Sequence, residues 1–146
     1  MLEGEEKIKF LHLQNNEISK IENLVSLPNL HFLDLSSNKL VEINNFSSVV
    51  HLRVLILSKN MITSIPKSNL DTFRQLDVLD LHDNRISGKV DFSVHFKKLQ
   101  NLRILNLSGN QIEEIEMTCN MKSLVELNLR KNKIKSVKIG LGVKAL

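Results

Sequence analysis

The chain has 146 residues, of which 42% are hydrophobic and 25% are charged, and its net charge is +4. This length suits one domain, and the apolar content argues against an intrinsically disordered chain. A single cysteine excludes an internal disulfide, and no apolar run approaches the roughly 20 residues of a membrane-spanning helix. Residues 1–7 lack the basic and apolar segments of a signal peptide, so we expect a cytoplasmic protein that does not enter a membrane.

Leucine and asparagine are unusually abundant, at 25 and 16 residues. They recur together in six segments that share the spacing L-x-x-L-x-L-x-x-N-x-L/I. The segments begin at Ile8, Leu30, Leu52, Leu76, Leu102 and Leu124, at intervals of 22, 22, 24, 26 and 22 residues. Such self-similarity is typical of a solenoid, in which each unit contacts only its neighbours. We therefore predict one domain over residues 1–146, either a fragment of a longer protein or an uncapped short form.

Each unit begins with a short predicted strand. The fourth and sixth positions are leucine in all six units, and this alternation is typical of a strand with one buried face. So short a strand cannot fold alone, whereas stacked parallel copies bury one continuous core. The predicted fold class is α/β: a right-handed solenoid with a six-stranded parallel sheet on the concave face and short 3₁₀ or α turns on the convex face.

The segments that follow the strands carry apolar residues in steps of three, which fits a 3₁₀-like turn better than a full α-helix. In the first two units these residues are Ile18, Ile21, Leu24, Leu27, Leu40, Ile43, Phe46 and Val49. The longer third unit predicts a helical turn over 71–75, with Leu70 and Phe73 inward. The fourth predicts a short amphipathic helix over about 92–100. We expect both insertions to bulge on the convex side, and a second docking surface there is the alternative.

The ninth position of every unit is asparagine, at Asn16, Asn38, Asn60, Asn84, Asn110 and Asn132. The chain turns inward directly after the strand, and this turn leaves backbone N–H and C=O groups facing the core. An amide side chain both donates and accepts, so one asparagine can bond its own loop and the neighbouring coil. We interpret these six residues as a structural ladder and not as a binding site.

The six segments resemble the leucine-rich repeat family, and the 22-residue period is similar to that of its cytosolic class. That class includes a regulatory subunit of a serine/threonine protein phosphatase, an axonemal dynein light chain and a spliceosomal protein. The units LDVLDLHDNRI, LRILNLSGNQI and LVELNLRKNKI are also similar to those of the leucine-rich-repeat subunit of the tubulin polyglutamylase complex, although the third and fourth units here are longer. The resemblance implies a non-catalytic scaffold that holds another protein, in a cytoskeletal, ciliary or phosphatase-regulatory setting.

The strand positions that are not leucine are predicted to face outward on the concave side. Five of the six third-position residues are apolar, and an exposed apolar stripe rimmed by polar residues is typical of a partner site. The candidate partner-binding residues are Phe10, His12, Phe32, Asp34, Val54, Ile56, Val78, Asp80, His82, Ile104 and Asn106. The alternative is that neighbouring side chains cover one another and need no partner. Charges of both signs surround the stripe, which favours a protein or peptide over a polyanion.

No catalytic, metal-binding or cofactor-binding site is predicted, and we do not expect an enzyme. His12 and His82 lie three strands apart, about 15 Å, and Cys119 has no second cysteine with which to hold zinc. We expect Cys119 to be a buried structural thiol, with a reactive thiol as the alternative. We interpret His82, Asp80 and Asp83 as a polar surface cluster and not as a catalytic pair.

The positive charge is concentrated at one end of the chain. Residues 122–146 hold seven basic residues and one acidic residue, a net charge of +6, whereas the remainder has a net charge of −2. The alternative function is therefore binding of nucleic acid or of an acidic protein tail at this end, although aromatic residues for base stacking are absent there. A nuclear location is left open beside the expected cytoplasmic one. Residues 135–146 only begin another return segment, so self-association through uncapped ends is a further alternative.

Overall fold

The computed structural model describes residues 5–140, and its strands are short. In chain order they are β1 (Phe10–His12), β2 (Phe32–Asp34), β3 (Val54–Ile56), β4 (Val78–Asp80), β5 (Ser87–Asp91), β6 (Ile104–Asn106), β7 (Gln111–Met117), β8 (Glu126–Asn128) and β9 (Ser136–Ile139). Strands β1, β2, β3, β4, β6 and β8 pair in that order, all in parallel. The predicted solenoid with a six-stranded parallel sheet is therefore confirmed.

Leucine side chains form the core behind this sheet. The fourth and sixth positions of the four inner coils are fully buried at Leu33, Leu35, Leu55, Leu57, Leu79, Leu81, Leu105 and Leu107. Each buried leucine contributes roughly 1.5–3 kcal/mol relative to an exposed one. The equivalent Leu11 and Leu127 are only partly buried, because within the described residues each end coil pairs with one neighbour.

The return segments of the first two coils turn in steps of three residues. A 3₁₀ helix covers Leu24–Ser26, and the N–H of Leu27 donates to the carbonyl of Leu24 at 2.9 Å. In the second coil, the N–H of Val49 donates to the carbonyl of Phe46 at 3.1 Å. Because a 3₁₀ turn has three residues, these bonds bring every third side chain inward. The predicted 3₁₀-like returns are confirmed in these coils.

The helix predicted over about 92–100 is shorter than expected. The helix α1 covers Phe92–His95 and is capped by the side chain of Asp91. The chain then turns, and the N–H of Leu99 donates to the carbonyl of Phe96 at 2.9 Å. The prediction was wrong at its C-terminal end because a short helix and a tight turn already bury Phe92, Phe96 and Leu99, the three residues whose spacing suggested the longer helix. No helix formed by residues 5–140 is long and apolar enough to cross a membrane.

The helical turn predicted over 71–75 is a series of tight turns. The N–H of Phe73 donates to the carbonyl of Leu70 at 3.0 Å, and the N–H of Leu76 donates to the carbonyl of Phe73 at 3.2 Å. Leu70 and Phe73 are buried, as predicted. Turns with i to i+3 bonds give the same inward spacing as a helical turn would, so the sequence pattern does not distinguish them.

A second sheet on the return side of the last three coils was not predicted. Strands β5, β7 and β9 pair in parallel in that order. In the fourth coil β5 precedes α1, whereas in the last two coils β7 and β9 lie where 3₁₀ or α turns were expected. Strand β9 takes up part of the predicted final return segment. The rest of that segment, residues 141–146, lies outside the described residues. The register shifts after Gly88, so Glu113 of β7 is the extra residue of a bulge, and Ile112 and Ile115 are both buried although three residues apart.

The eighth position of every coil has a left-handed backbone. The φ angle lies between 54° and 68° at Asn15, Ser37, Lys59, Asp83, Gly109 and Lys131. A left-handed conformation costs a non-glycine residue roughly 1–2 kcal/mol. Inter-coil bonds hold it in place: the N–H of Lys59, for example, donates to the carbonyl of His82 at 2.9 Å. This turn carries the chain from the sheet into the core and positions the asparagine that follows.

Candidate functional site

The ninth-position asparagines join adjacent coils. The side-chain nitrogen of Asn60 donates to the carbonyl of Leu35 in the preceding coil at 3.0 Å and to that of Leu57 in its own coil at 3.1 Å. Its side-chain oxygen accepts from the N–H of Leu40 at 2.9 Å. Equivalent bonds to the preceding coil are made by Asn38, Asn84, Asn110 and Asn132. These amides satisfy backbone groups that would otherwise be unpaired in the core.

Asn16 occupies the same position in the first coil but makes fewer bonds. Its side-chain nitrogen donates to the carbonyls of Leu13 at 3.0 Å and Gln14 at 3.3 Å, both in its own loop. Asn16 is exposed, whereas Asn60 is 7% exposed. Asn16 and Asn60 therefore form a matched pair for mutation, since only Asn60 makes hydrogen bonds to the preceding coil.

The third-position residues form a stripe in register across the concave sheet. The partner-binding prediction included five of them: Phe10, Phe32, Val54, Val78 and Ile104, which we call the apolar stripe. Phe10 is 67% exposed, and the other four are half-buried. The rings of Phe10 and Phe32 lie 6.3 Å apart. The stripe ends at the next coil, where Glu126 occupies the position.

The fifth-position residues lie beside the stripe. The aspartate and asparagine side chains among them each accept a hydrogen bond from the backbone N–H two residues further along the chain. The side-chain oxygen of Asp34 accepts from the N–H of Ser36 at 2.9 Å, and Asn106 accepts from the N–H of Ser108 at 3.1 Å. Asp80 and Asn128 make the equivalent bond to the residue two positions on. The sequence reasoning missed these turns. The fifth-position residues without such a side chain are His12, whose ring lies 4.9 Å from that of Phe32, and Ile56, which is half-buried.

His82, the seventh-position member of the predicted set, is held by carboxylates. Its Nδ1 lies 2.7 Å from Oδ1 of Asp80, and its Nε2 lies 3.9 Å from Oδ2 of Asp83. Ser108 lines the same pocket, but its hydroxyl donates to the side-chain oxygen of Asn106 at 2.7 Å. Among the described residues, the serine near His82 and Asp80 is therefore Ser108, and its hydroxyl proton is donated to Asn106 and not to His82. This geometry does not activate a nucleophile.

A groove borders the stripe where the strands begin. It is lined by Arg53, Gln75, Asp77, Asn101 and Arg103. Nε of Arg103 lies 3.9 Å from Oδ1 of Asp77. Arg53 and Arg103 are both exposed. The groove therefore offers two arginines and one carboxylate to a partner that covers the stripe.

Cys119 is partly buried and packs against the core, so the expectation of a buried thiol is met only in part. Burial raises the pKa of the Cys119 thiol above its ordinary value, which disfavours the reactive thiolate. Within residues 5–140, no group of three or more His, Cys, Asp or Glu side chains is arranged to hold a metal ion.

Ion pairs join the strands of the second sheet. Glu116 on β7 contacts Lys89 on β5 and lies 3.5 Å from Nζ of Lys138 on β9. The Lys89 hydrogen bond lowers the pKa of Glu116, and the same bond raises the pKa of Lys89. Lys135 lies 3.5 Å from Glu113. Part of the basic C-terminal charge is thus engaged within the fold.

A family model described as "Leucine Rich repeats (2 copies)" matches residues 6–48, 74–117 and 100–141. The chain belongs to the leucine-rich repeat family. Domains of this family are typically protein-binding scaffolds and are usually non-catalytic. No catalytic family was identified for this leucine-rich repeat chain.

Three solved structures are similar to this leucine-rich repeat chain. The complex of TLR13 with ssRNA13 is 29% identical with a TM-score of 0.77, over 93% of this chain and 22% of that one. The ectodomain of the receptor kinase SOBIR1 from Arabidopsis thaliana is 23% identical, over 90% and 73%, with a TM-score of 0.66. A leucine-rich repeat protein of Leptospira interrogans is 24% identical, over 92% and 38%, with a TM-score of 0.72. The last two likenesses show the fold alone, and this chain spans about a fifth of the TLR13 chain.

Proposed function

We propose that this leucine-rich repeat chain is a non-catalytic scaffold that holds a partner protein on the apolar stripe of its concave sheet. One observation carries the proposal: five apolar residues lie in register on five neighbouring strands, although the sheet leaves them accessible. A contiguous exposed apolar surface with a polar rim is characteristic of a partner site. The family supports the same reading, since leucine-rich repeat domains are typically protein-binding scaffolds.

The rim supplies the polar contacts that would make this binding selective. On one side lie exposed arginines of the strand-start groove, and on the other lie Asp34, Asp80 and His82. Apolar anchors at the centre of an interface contribute most of the affinity, while the rim charges set selectivity and the rate of encounter. The partner-binding role of the individual residues stays a prediction.

The setting of the scaffold is also part of the proposal. Three of the five repeat intervals are 22 residues long, and this period resembles that of the cytosolic class of the family. We therefore place the scaffold in the cytoplasm, in a cytoskeletal, ciliary or phosphatase-regulatory assembly. Fluorescence microscopy of the tagged chain tests the location, and a diffuse distribution unaffected by stripe substitutions would argue against an assembly of this kind.

The test is a pull-down from cell lysate that compares the wild-type chain with the double variant Phe32→Asp/Val54→Asp. We expect the variant to lose the partners that the wild type captures, because two charges would be buried against an apolar surface. The matched control is Val25→Asp/Val50→Asp, which alters two exposed valines in the return segments. If the stripe variant and the wild type recover the same proteins, the stripe is not the binding site.

Nucleic-acid binding at the basic C-terminal coil is the second candidate function. Arg130, Lys131 and Lys133 are exposed, and in the described residues none of them forms a salt bridge. The solved structure of TLR13, which is 29% identical, is a complex with ssRNA13. Filter binding of a single-stranded oligonucleotide over a salt series tests this function. Each phosphate contact should give a slope of about −0.7 in the log–log plot, and no retention at low salt would exclude this function.

A further inference from the structure

The apolar stripe lies between two rows of charged residues. The second position of the repeat, one residue before each strand, carries Lys9, Arg53 and Arg103, which we call the basic row. The fifth position, where the strands end, carries Asp34 and Asp80, which we call the acidic row. All five side chains are exposed or half-buried.

The charge difference between the rows is maintained despite local ion pairs. Asp77 shares the second position with the basic row and lies 3.9 Å from Arg103, so the charges at this edge still sum to +2. In the acidic row, Asp34 and Asp80 each accept a backbone N–H at Oδ1, and Oδ1 of Asp80 also contacts His82, so these contacts use only one oxygen of each carboxylate. The concave face is therefore positive along one edge of the stripe and negative along the other.

The width between the rows suits a helix. The second position immediately precedes each three-residue strand and the fifth position ends it, so the Cα atoms of the two rows are three residues apart, at most about 10 Å. An α-helix with its side chains is about 10–12 Å in diameter. A helix lying along the stripe would therefore bring its two flanks beside the two rows.

The spacing along the stripe also favours a helix over an extended chain. Neighbouring parallel strands lie about 4.8 Å apart. One helical turn rises about 5.4 Å, close to one strand spacing. An extended chain places same-side residues about 6.6 Å apart, which misses the strand spacing after one or two residues. The stripe from Phe10 to Ile104 covers four such intervals, or about 19 Å, the length of three to four helical turns.

We infer that the bound segment of the partner is an amphipathic α-helix of three to four turns. Its apolar face packs on the stripe, a flank of Asp or Glu lies along the basic row, and a flank of Lys or Arg lies along the acidic row. This inference rests on the protein-binding function proposed above. Because turning the helix end for end exchanges its flanks, the two rows also fix the direction in which the helix lies.

The experiment uses the full 146-residue chain and synthetic 18-residue peptides as probes. All carry leucine at i, i+4, i+7, i+11 and i+14. The first has glutamate on one flank and lysine on the other, the second has glutamate on both, and the third has lysine on both. A fourth repeats the first with a central proline, which breaks the helix. Fluorescence anisotropy gives the affinities, and we expect the first peptide to bind about tenfold more tightly than each of the others.

The protein variant Arg53→Glu/Arg103→Glu makes both rows acidic. We expect it to reverse the preference, so that the peptide with two lysine flanks binds most tightly, and we expect the preference to fall in high salt. Both arginines are exposed, and circular dichroism checks that the variant is folded. Equal binding of the proline peptide would overturn the helix, and affinities independent of the flanks would overturn the role of the rows.

The pull-down separates this inference from the proposed function. If Phe32→Asp/Val54→Asp loses the captured partner while the peptides show no preference, the stripe binds protein but the helical occupant is wrong. If that variant captures the same proteins as the wild type and no peptide binds, both the function and the inference are wrong.

Discussion

The side-chain oxygen of Asn60 lies 2.9 Å from the backbone nitrogen of Leu40, one coil earlier in the solenoid. The amide nitrogen of the same side chain donates to carbonyls in both coils. One residue thus satisfies donors and acceptors of two turning loops at once. Aspartate lacks the donors and leucine lacks both functions, so neither residue could make this set of bonds.

We predict that Asn60→Ala lowers the free energy of unfolding by about 1–3 kcal/mol, because it leaves buried backbone groups unpaired. Urea denaturation followed by circular dichroism measures the change. The control is Asn16→Ala, which removes only bonds within one exposed loop and should cost less. Equal stability of Asn60→Ala and wild type would contradict the ladder.

A second prediction concerns two glycines with positive φ. Gly88 and Gly109 have φ of 75° and 68°, so alanine at either site should destabilise the chain by about 1–2 kcal/mol. A side chain at Gly109 would also meet the carboxylate of Asp83, whereas nothing lies near Gly88. We therefore expect Gly109→Ala to cost more than Gly88→Ala in thermal denaturation. In an Asp83→Ala background the difference between the two costs should shrink, because only the backbone nitrogen of Asp83 then lies close to the new side chain. An undiminished difference would mean that the Asp83 carboxylate is not its cause.

The third prediction concerns Cys119. Burial raises the pKa of its thiol, so at pH 8 the native chain should carry less thiolate than the unfolded chain. We expect iodoacetamide to alkylate the native protein more slowly than the protein in urea, measured by mass spectrometry at intervals. Faster alkylation of the native chain would support the reactive thiol that we weighed as an alternative.

Much of the fold follows from the repeat because its physical demands are periodic. Leucine at the fourth and sixth positions requires one buried strand face in each unit, and Leu55 and Leu57 are fully buried in that arrangement. A parallel pairing of strands 22 to 26 residues apart then follows, since each short strand can be buried only against its neighbours. Sequence reasoning was sufficient here because one local pattern, repeated, has one way to form a core.

The second sheet was missed because the apolar residues at the start of β7 do not alternate. Ile112 and Ile115 are three residues apart, a spacing that also fits a 3₁₀ turn. Only the bulge at Glu113 reconciles that spacing with a strand, and a bulge depends on the register of the neighbouring strand. Pairing with the neighbouring strands therefore determines that this segment is a bulged strand and not a 3₁₀ turn. The sequence spacing fits both structures.

The candidate site shows a similar division. The apolar stripe could be located because third-position residues follow the strand register directly. The turns made by Asp34 and Asp80 with the N–H groups two residues on were not foreseen, although such side chains favour this bond. The reason is that an acidic residue beside an apolar stripe occupies the same repeat position whether its side chain binds a partner, bonds the backbone at the end of the strand or does both. The sequence pattern therefore does not distinguish these roles.

The last prediction concerns Glu116, which links the three strands of the second sheet through Lys89 and Lys138. The hydrogen bond from Lys89 lowers the pKa of Glu116 below its ordinary value in the folded chain. A carboxyl with a lowered folded pKa contributes stability above its unfolded pKa and loses that contribution as the pH falls through the folded value. We therefore expect the wild type to lose stability on acidification more steeply than Glu116→Gln, so that the two converge in acid. Urea midpoints between pH 7 and about pH 3 measure this.

Glu113→Gln, which removes a more exposed carboxyl paired with Lys135, is the control and should follow the wild-type acid profile more closely. Parallel profiles of wild type and Glu116→Gln would mean that the ion pairs of this sheet contribute nothing to its pH dependence.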